Sequence, residues 1–208
     1  MLSIRDLRHE YGGRAVLTVP AWDVAQGEAS LVLGPSGSGK STLVSVISGL
    51  LKPTQGQVRV AGQDVPALAP AARDAFRANH IGLVLQTLHL IGVLSVRENL
   101  RLARRLAGLA PDEARIAAVL SSLGIESLSA RSARDLSVGE AQRVAIGRAV
   151  VNAPKLILAD EPTSALDDAN CAKAIDLLTE QARACGATLI VATHDQRIRE
   201  RFPTRLSL

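Results

Sequence analysis

The chain has 208 residues, of which 47% are apolar and 21% are charged. This length suits one domain with an elaboration, and the composition excludes an intrinsically disordered chain and two large domains. The net charge of +4 comes without a long block of like charges, so charge alone does not indicate a nucleic-acid-binding protein.

Targeting and cysteine signals indicate a soluble chain in a reducing compartment. Residues 1–11 carry several charges and lack the apolar segment of a secretory signal. The longest apolar stretch, 81–94, is interrupted by polar residues and is too short to span a bilayer. Cys171 and Cys185 cannot build a disulfide framework, so we interpret them as buried thiols.

Short apolar runs alternate with longer helical patterns along the chain. Runs typical of strands buried on both faces lie at 29–33, 81–85, 156–159 and 189–192. Helical patterns lie at 41–50, 96–108, 112–123, 140–152 and 168–185. Shorter strands at 2–7, 15–19 and 56–60 predict a small antiparallel sheet. The expected fold is therefore α/β, with a mainly parallel sheet beside an N-terminal antiparallel part.

Helix signals dominate the middle of the chain. Pro111 is placed to open one helix there and Gly124 to close it. We therefore expect a single domain over 1–208, in which a helical subdomain at 87–153 is inserted into a core formed by 1–86 and 154–208.

A glycine-rich loop carries the strongest chemical signal. The segment GPSGSGKST at 34–42 fits the pattern G-x-x-x-x-G-K-[ST], follows a predicted strand and opens a predicted helix, which is the setting of a phosphate-binding P-loop. Its glycines let successive backbone N–H groups converge on a phosphate, and the helix directs its positive end at the anion. Lys40 would add a full charge at the β- and γ-phosphates, and Ser41 would ligate Mg²⁺. The predicted nucleotide-binding residues are Gly34, Pro35, Ser36, Gly37, Ser38, Gly39, Lys40, Ser41 and Thr42.

Two further strands end in polar residues. The run at 156–159 leads into Asp160 and Glu161; we expect Asp160 to hold Mg²⁺ through water and Glu161 to accept a proton from an attacking water. Standing alone, this pair also fits a solvated acidic turn. The run at 189–192 leads to His194, placed to contact the γ-phosphate and the water, although a lone histidine is more often structural. We interpret His9, His80 and His89 as surface or packing residues.

With these three motifs in order, a fourth segment completes a family resemblance. Residues 136–149 read LSVGEAQRVAIGRA, which resembles the signature L-S-G-G-Q followed by Q-R-V-A-I-A-R-A of the ATP-binding subunits of ABC transporters. The resemblance extends over nearly the whole chain. It implies a P-loop NTPase core, ATP and Mg²⁺ as ligands, and hydrolysis of ATP.

The resemblance also implies roles for residues outside the three motifs. Tyr11 looks like the aromatic residue that stacks on adenine, with Val16 at similar spacing, and Gln86 resembles the glutamine that touches Mg²⁺ and the water. Ser137 and Gly139, with Glu140, resemble the residues that reach the γ-phosphate of the opposite subunit. The segment 164–167, ending in Asp167, resembles the loop that faces that subunit. A tyrosine on a small sheet and a merely solvated glutamine are the plainer alternatives for Tyr11 and Gln86.

The signature departs from the usual pattern at three positions. Val138 stands where glycine is usual, so this position must not need a left-handed backbone. Glu140 stands where glutamine is common. Gly147 stands where alanine is usual and costs roughly 0.5–1 kcal/mol inside a helix, which either close packing or neutral change would explain.

The resemblance implies partners as well as a site. We expect a second ATPase copy in a nucleotide-sandwich dimer, an integral membrane permease subunit, and a cytoplasmic location on the inner face of the membrane, with no nucleic acid. The segment following Gln86 is most similar to the lipoprotein-release, macrolide-export and cell-division group, and its apolar residues 88–94 either dock the membrane partner or pack the helical subdomain. A division scaffold that moves no substrate, a soluble ABC ATPase acting on DNA or the ribosome, and a P-loop kinase are the alternatives.

Overall fold

The computed structural model describes residues 1–164 and 167–208, apart from the side chain of Ala169. The described strands are β1 (Leu2–Tyr11), β2 (Arg14–Val24), β3 (Ala29–Leu33), β4 (Gln55–Val60), β5 (Gln63–Asp64), β6 (Ile81–Val84), β7 (Leu156–Asp160), β8 (Thr188–Thr193) and β9 (Thr204–Ser207). The described helices are α1 (Lys40–Ile47), α2 (Pro70–His80), α3 (Val96–Leu106), α4 (Glu113–Ser122), α5 (Val138–Val150) and α6 (Asp168–Cys185). Short 3₁₀ turns lie at Glu126–Leu128, Ala133–Asp135 and Gln196–Arg201.

The strands form an antiparallel and a parallel sheet. The antiparallel sheet has the order β2-β1-β4-β5, and the parallel sheet has the order β6-β7-β8-β3-β9. Every residue of β7 and β8 is buried, because helices or the other sheet cover both faces of these apolar runs. The predicted α/β fold class is therefore confirmed.

The parallel sheet brings four loops to one edge. β3 leads into the glycine-rich loop, β6 into Gln86, β7 into Glu161 and β8 into His194. Because the carboxyl ends of parallel strands meet at the same edge, these loops surround one crevice, which is where open α/β sheets bind ligands.

Helices α3, α4 and α5 lie between β6 and β7 in the chain. Ser95 caps α3 and Ser137 caps α5, each in a capping box with a glutamate three residues later. The Ser137 cap starts α5 at Val138, two residues before the position that the sequence predicted.

Aliphatic side chains fill two clusters of the core. One joins the parallel sheet to α3, α4, α5 and α6, and the other fills the space between the two sheets around α1. Cys171 is buried as predicted, whereas Cys185 is only partly buried, and both thiols are free. None of the described helices has the length and apolar character needed to cross a membrane.

Candidate active site

The glycine-rich loop is shaped to hold an anion. Gly39 has φ of 96°, and a Cβ there would lie 2.5 Å from the carbonyl oxygen of Val16. A Cβ on Gly34 would lie 2.4 Å from Oγ of Ser38, and that hydroxyl is buried without a hydrogen-bond partner among the described residues. The loop delivers the chain to the start of α1, whose first N–H groups have no acceptor within the helix. These features suit a phosphate.

Lys40 is buried at the base of this loop. Its Nζ donates to the carbonyl oxygens of Gly34 and Pro35, each at 2.9 Å, and lies 3.3 Å from Oε1 of Glu161. The ammonium group therefore already sits among acceptors where the loop would hold phosphate oxygens.

Glu161 follows β7 in a left-handed conformation, with φ of 50°. Its Oε2 accepts a hydrogen bond from Oγ1 of Thr193 at 2.8 Å, and its Oε1 lies 3.0 Å from Nδ1 of His194. Burial raises the pKa of Glu161, but the bonds from His194 and Thr193 and the charge of Lys40 outweigh it, so the pKa lies below its ordinary value. The carboxylate is ionised at neutral pH and can only accept hydrogen bonds, so Nδ1 of the imidazole carries the hydrogen of this bond.

Asp160 and Ser41 fit a divalent cation. The Ser41 hydroxyl lies beside the Asp160 carboxylate, and Oδ1 of Asp160 is buried without a partner among the residues that the structure describes. Burial is the main cause that raises the pKa of Asp160, and the charge of Glu161 adds to it. A cation such as Mg²⁺, or a water that it binds, would satisfy this oxygen and relieve the repulsion.

One cavity gathers most of the predicted site. Its described lining is Tyr11, Val16, Ser36, Gly37, Gly39, Lys40, Ser41, Thr42, Gln86, Glu161 and His194. Tyr11 is 56% exposed at the mouth, and the ring of His9 meets it edge-on with a centroid distance of 4.7 Å. His9 is thus a buried packing residue, as the sequence analysis expected. The arrangement combines an aromatic face, a glycine-rich loop suited to phosphate, a hydroxyl and a carboxylate suited to a cation, and an ionised carboxylate.

A match to a family model identifies the protein family to which the chain belongs. The model described as ABC transporter matches residues 17–164. The chain belongs to this family. It is therefore an ATPase of the ABC type, in agreement with the resemblance that the signature segment carries.

Relatives and solved structures agree with the assignment. The chain is 39% identical over 187 residues to the lipoprotein-releasing system ATP-binding protein LolD of Legionella pneumophila, covering 89% of this chain and 82% of that protein. It is 39% identical over 206 residues to the macrolide export ATP-binding/permease protein MacB 1 of Aeromonas hydrophila, where it covers 96% of this chain but spans only 32% of that protein. A dimeric post-hydrolysis structure of the ATP-binding cassette MJ0796, bound to ADP and Pi, matches with 32% identity and a TM-score of 0.89 over 100% of this chain and 94% of that one.

The signature residues lie outside the cavity. Val138 and Gly139 line a separate groove between α5 and α6, and Val138 is 66% exposed at the first turn of α5. Val138 is helical, so it does not need the left-handed backbone that a glycine would allow. Within one chain the structure therefore does not bring Ser137 or Gly139 to the glycine-rich loop.

Glu140 has a structural role in this arrangement. Its Oε2 accepts bonds from the backbone N–H and the hydroxyl of Ser137 at 2.7 and 2.8 Å, and its Oε1 lies 3.5 Å from Arg131. These Ser137 bonds lower the pKa of Glu140. An ionised carboxylate thus occupies the donors that the sequence analysis assigned to a γ-phosphate.

Two other sequence expectations have distinct outcomes. A Cβ at Gly147 would lie 2.9 Å from Cδ1 of the buried Leu123, so this glycine is explained by close packing of α5 on α4.

In the predicted segment 164–167, Ala165 and Leu166 lie outside the described residues. Asp167 is the N-cap of α6 and accepts from the N–H of Asn170 at 2.8 Å.

The apolar segment 88–94 is divided between packing and exposure. Leu90 packs against the core, whereas Ile91 and Val93 are 44% and 72% exposed. The buried side chain of Asn99 holds the backbone of Ile91 through bonds at 2.9 and 3.2 Å. A fixed backbone thus presents two apolar side chains to solvent.

Sequence reasoning missed Thr193 as a site residue. It ends β8, it is completely buried, and its hydroxyl bonds to Glu161. Its position directly before His194 at a strand end was the available signal.

Proposed function

We propose that the chain hydrolyses ATP at the interface of two ATPase subunits and so drives a separate integral membrane subunit at the inner face of the membrane. The observation that carries the proposal is the position of Glu161, an ionised carboxylate bonded to His194 and Thr193 at the end of the phosphate-binding cavity. The separate, exposed position of Ser137 and Gly139 supports the requirement for a second subunit.

ATP would bind along the cavity that runs from Tyr11 to Lys40. The Tyr11 ring would stack on the base, and the N–H groups of residues 36–42 would receive the phosphates. Lys40 would turn from Glu161 and the loop carbonyls toward the β- and γ-phosphates. Ser41, Gln86 and, through water, Asp160 would hold Mg²⁺, which supplies charge stabilisation on the phosphate oxygens when it is bound.

The hydrolysis step then needs a base and an oriented water. Glu161 accepts a proton from a water whose oxygen attacks the γ-phosphorus, and the bond from that phosphorus to the β–γ bridging oxygen breaks, which gives ADP and phosphate. His194 orients the Glu161 carboxylate through Nδ1. Once Lys40 has turned to the phosphates, Glu161 loses a cation that lowers its pKa, so it becomes a stronger base.

A second subunit would complete the site. Two copies arranged about a two-fold axis would each present Ser137 and Gly139 to the γ-phosphate held by the other. The dimeric state of MJ0796 with ADP and Pi supports this arrangement. ATP would then form part of the interface, and hydrolysis would release it.

The membrane partner would dock beside Ile91 and Val93. Both side chains are exposed on a backbone fixed by Asn99, close in sequence to Gln86 of the cavity. The names of LolD and MacB 1 place those proteins in lipoprotein release and macrolide export, which favours export, lipoprotein release or mechanical coupling for this chain.

The proposal is tested by trapping the ATP-bound state. Tagged Glu161→Gln protein with ATP should form dimers in light scattering, hydrolyse ATP poorly, and retain an integral membrane protein from detergent-solubilised membranes of the source organism. Lys40→Ala/Glu161→Gln protein is the control, since it should bind little ATP and form no dimer. Ile91→Ser/Val93→Ser in the Glu161→Gln background should keep the dimer and lose the membrane protein. Near-normal turnover of Glu161→Gln would refute the base assignment, and capture of soluble proteins alone would refute the membrane partner.

A further inference from the structure

The hydroxyl of Thr193 has a fixed hydrogen-bond direction. It accepts from the backbone N–H of Asp195 at 3.0 Å and lies 2.8 Å from Oε2 of Glu161. A threonine hydroxyl carries one hydrogen, and an ionised carboxylate can only accept. The hydrogen therefore points at Glu161.

The two groups that contact Oε1, the other carboxylate oxygen of Glu161, can move during the proposed cycle. Lys40, 3.3 Å from Oε1, would turn to the phosphates, and His194, 3.0 Å from Oε1, is 51% exposed. Thr193, in contrast, is completely buried at the end of β8, in the interior of the parallel sheet. The hydrogen bond from Thr193 to Oε2 of Glu161 therefore comes from a buried strand that stays in place during the proposed cycle.

The backbone of Glu161 is held by the same strand. Its φ of 50° is uncommon for a residue with a side chain. Its N–H donates to the carbonyl of Ala192 at 2.7 Å, which ties the turn to the residue before Thr193. Backbone and side chain of Glu161 are therefore both fixed by the last two residues of β8.

We propose that Thr193 is a positioning residue for hydrolysis, which holds Oε2 of Glu161 so that Oε1 faces the γ-phosphate and the attacking water. The inference rests on the proposed role of Glu161 as the base. Thr193 is completely buried and is not among the described residues that line the cavity, so it acts on the rate through Glu161 and leaves ATP binding to the glycine-rich loop.

The test compares Thr193→Val, which keeps the shape and removes the hydroxyl, with Thr193→Ser, which keeps the hydroxyl. Thr193→Val should lower the single-turnover hydrolysis rate by about 10- to 100-fold, since misplacement of a catalytic group by about 1 Å costs on that order. Its ATP affinity and ATP-dependent dimerisation should stay within about twofold, because the phosphate-binding residues are untouched. Thr193→Ser should recover most of the rate.

Thr188→Val is a matched control at the other end of the same strand. Thr188 is also completely buried, and its hydroxyl bonds to the carbonyl of Ala25 and the N–H of Gly27 at 3.0 and 2.9 Å, far from Glu161. It should lower the melting temperature and leave the hydrolysis rate unchanged. A Thr193→Val rate no lower than that of Thr188→Val, or a Thr193→Ser rate as low as that of Thr193→Val, would overturn the proposal.

The Glu161→Gln background separates this proposal from the proposed function. If Glu161→Gln is nearly inactive, adding Thr193→Val should slow it no further, and a further large loss would show that Thr193 acts elsewhere. If Glu161→Gln retains near-normal turnover, the base assignment itself fails, and the positioning role fails with it. Should Thr193→Val not fold, the pair Thr193→Ala and Thr193→Ser makes the same comparison.

Discussion

Nζ of Lys40 lies 3.3 Å from Oε1 of Glu161, and both side chains are more than nine-tenths buried. The residue proposed to bind phosphate and the residue proposed to accept the proton of water thus form an ion pair with each other. In the proposed cycle ATP would separate them, which would link phosphate binding to activation of the carboxylate.

Lys40→Ala should abolish most nucleotide binding. The variant removes the full positive charge at the base of the loop, and a hydrogen bond to a charged group contributes about 1.5–3 kcal/mol, so ATP affinity should fall by about 10-fold to 100-fold. Equilibrium titration with a fluorescent ATP analogue measures the change. Lys52→Ala, which changes an exposed lysine outside the cavity, is the control. Unchanged ATP affinity in Lys40→Ala would refute the phosphate-binding assignment of the loop.

The ion pair between Lys40 and Glu161 predicts that substitutions of these two residues have non-additive effects on the free energy of unfolding. Lys40→Ala leaves the carboxylate of Glu161 buried beside Asp160, whereas Glu161→Gln removes that charge. The free energy of unfolding lost in Lys40→Ala should be partly recovered in the double variant, with a coupling of about 1–3 kcal/mol. Urea unfolding of the four proteins measures this coupling. Effects that add to within about 0.5 kcal/mol would show that the ion pair does not stabilise the fold.

Continuous apolar runs made much of the fold predictable from sequence. The bounds of β3 and α6 agree with the prediction, and β7 and β8 differ from it by one residue at one or both ends. Helix α2 was missed because Phe76 is its only large apolar side chain and none of its residues is buried, so no apolar run marks it in the sequence. Strand β9 was missed because it is a short edge strand with no fully buried residue.

The sequence predicted which residues form the candidate site, but it predicted few of the contacts between their side chains. Motif spacing and strand order place Lys40, Glu161 and His194 at one edge of the sheet, because parallel strands end together. The bond from Thr193 to Glu161 and the bonds from Ser137 to Glu140 depend on side-chain directions that only the packed structure fixes. Sequence reasoning therefore missed the bonds of Glu140 to its own helix cap, and the assignment of Glu140 to the nucleotide of the opposite subunit stays a prediction.

Gly139→Ala should separate folding from function. A Cβ at this position meets nothing within 4 Å, and alanine favours a helix, so the free energy of unfolding should be unchanged or rise by about 0.5 kcal/mol. The methyl group would nevertheless occupy the surface proposed to approach the partner's γ-phosphate. ATP-dependent dimerisation and turnover should fall by about 10-fold or more, as when a phosphate-stabilising contact is lost.

Gly147→Ala in the same helix is the control for Gly139→Ala. Its Cβ would lie only 2.9 Å from Cδ1 of Leu123, which must shift, so the substitution should cost about 1 kcal/mol of stability and leave ATP-dependent dimerisation intact. Light scattering and thermal unfolding measure both variants. Normal dimerisation of Gly139→Ala would place this residue away from the subunit interface.

Glu140→Gln should strengthen ATP-dependent dimerisation. The substitution keeps an oxygen that can accept from Ser137, so the cap of α5 survives, but it removes a negative charge beside the proposed γ-phosphate contact. A charge at a helix N-terminus is worth about 0.3–1 kcal/mol and occurs twice in the two-fold dimer, so the dissociation constant of the dimer should fall by about 3-fold to 30-fold.

Glu98→Gln tests the specificity of the Glu140 effect. Glu98 forms the same capping box with Ser95 on α3, away from the cavity, so it should leave dimerisation unchanged. Analytical ultracentrifugation with ATP in the Glu161→Gln background measures both variants. Weaker dimerisation of Glu140→Gln would mean that the carboxylate contributes to the interface.

The lowered pKa of Asp195 predicts how the free energy of unfolding depends on pH. Bonds from Arg197 lower the pKa of Asp195 far below its ordinary value, against the opposing effect of burial, and a bond from Thr163 adds to the lowering. A carboxyl group with a depressed pKa in the folded state stabilises the fold above its unfolded pKa, and this stabilisation is lost as pH falls toward the folded pKa. Asp195→Asn should therefore lower the free energy of unfolding by about 1–2 kcal/mol near neutral pH. The value is modest because Arg197 is 41% exposed and solvent screens the pair.

The difference in free energy of unfolding between the parent and Asp195→Asn should narrow once the pH drops below about 4. Urea unfolding across that pH range measures it. Thr163→Val, which removes a neutral donor and keeps Arg197, should show a smaller pH-dependent part. A gap for Asp195→Asn that is constant with pH would mean that the charge of Asp195 does not stabilise the turn beside His194.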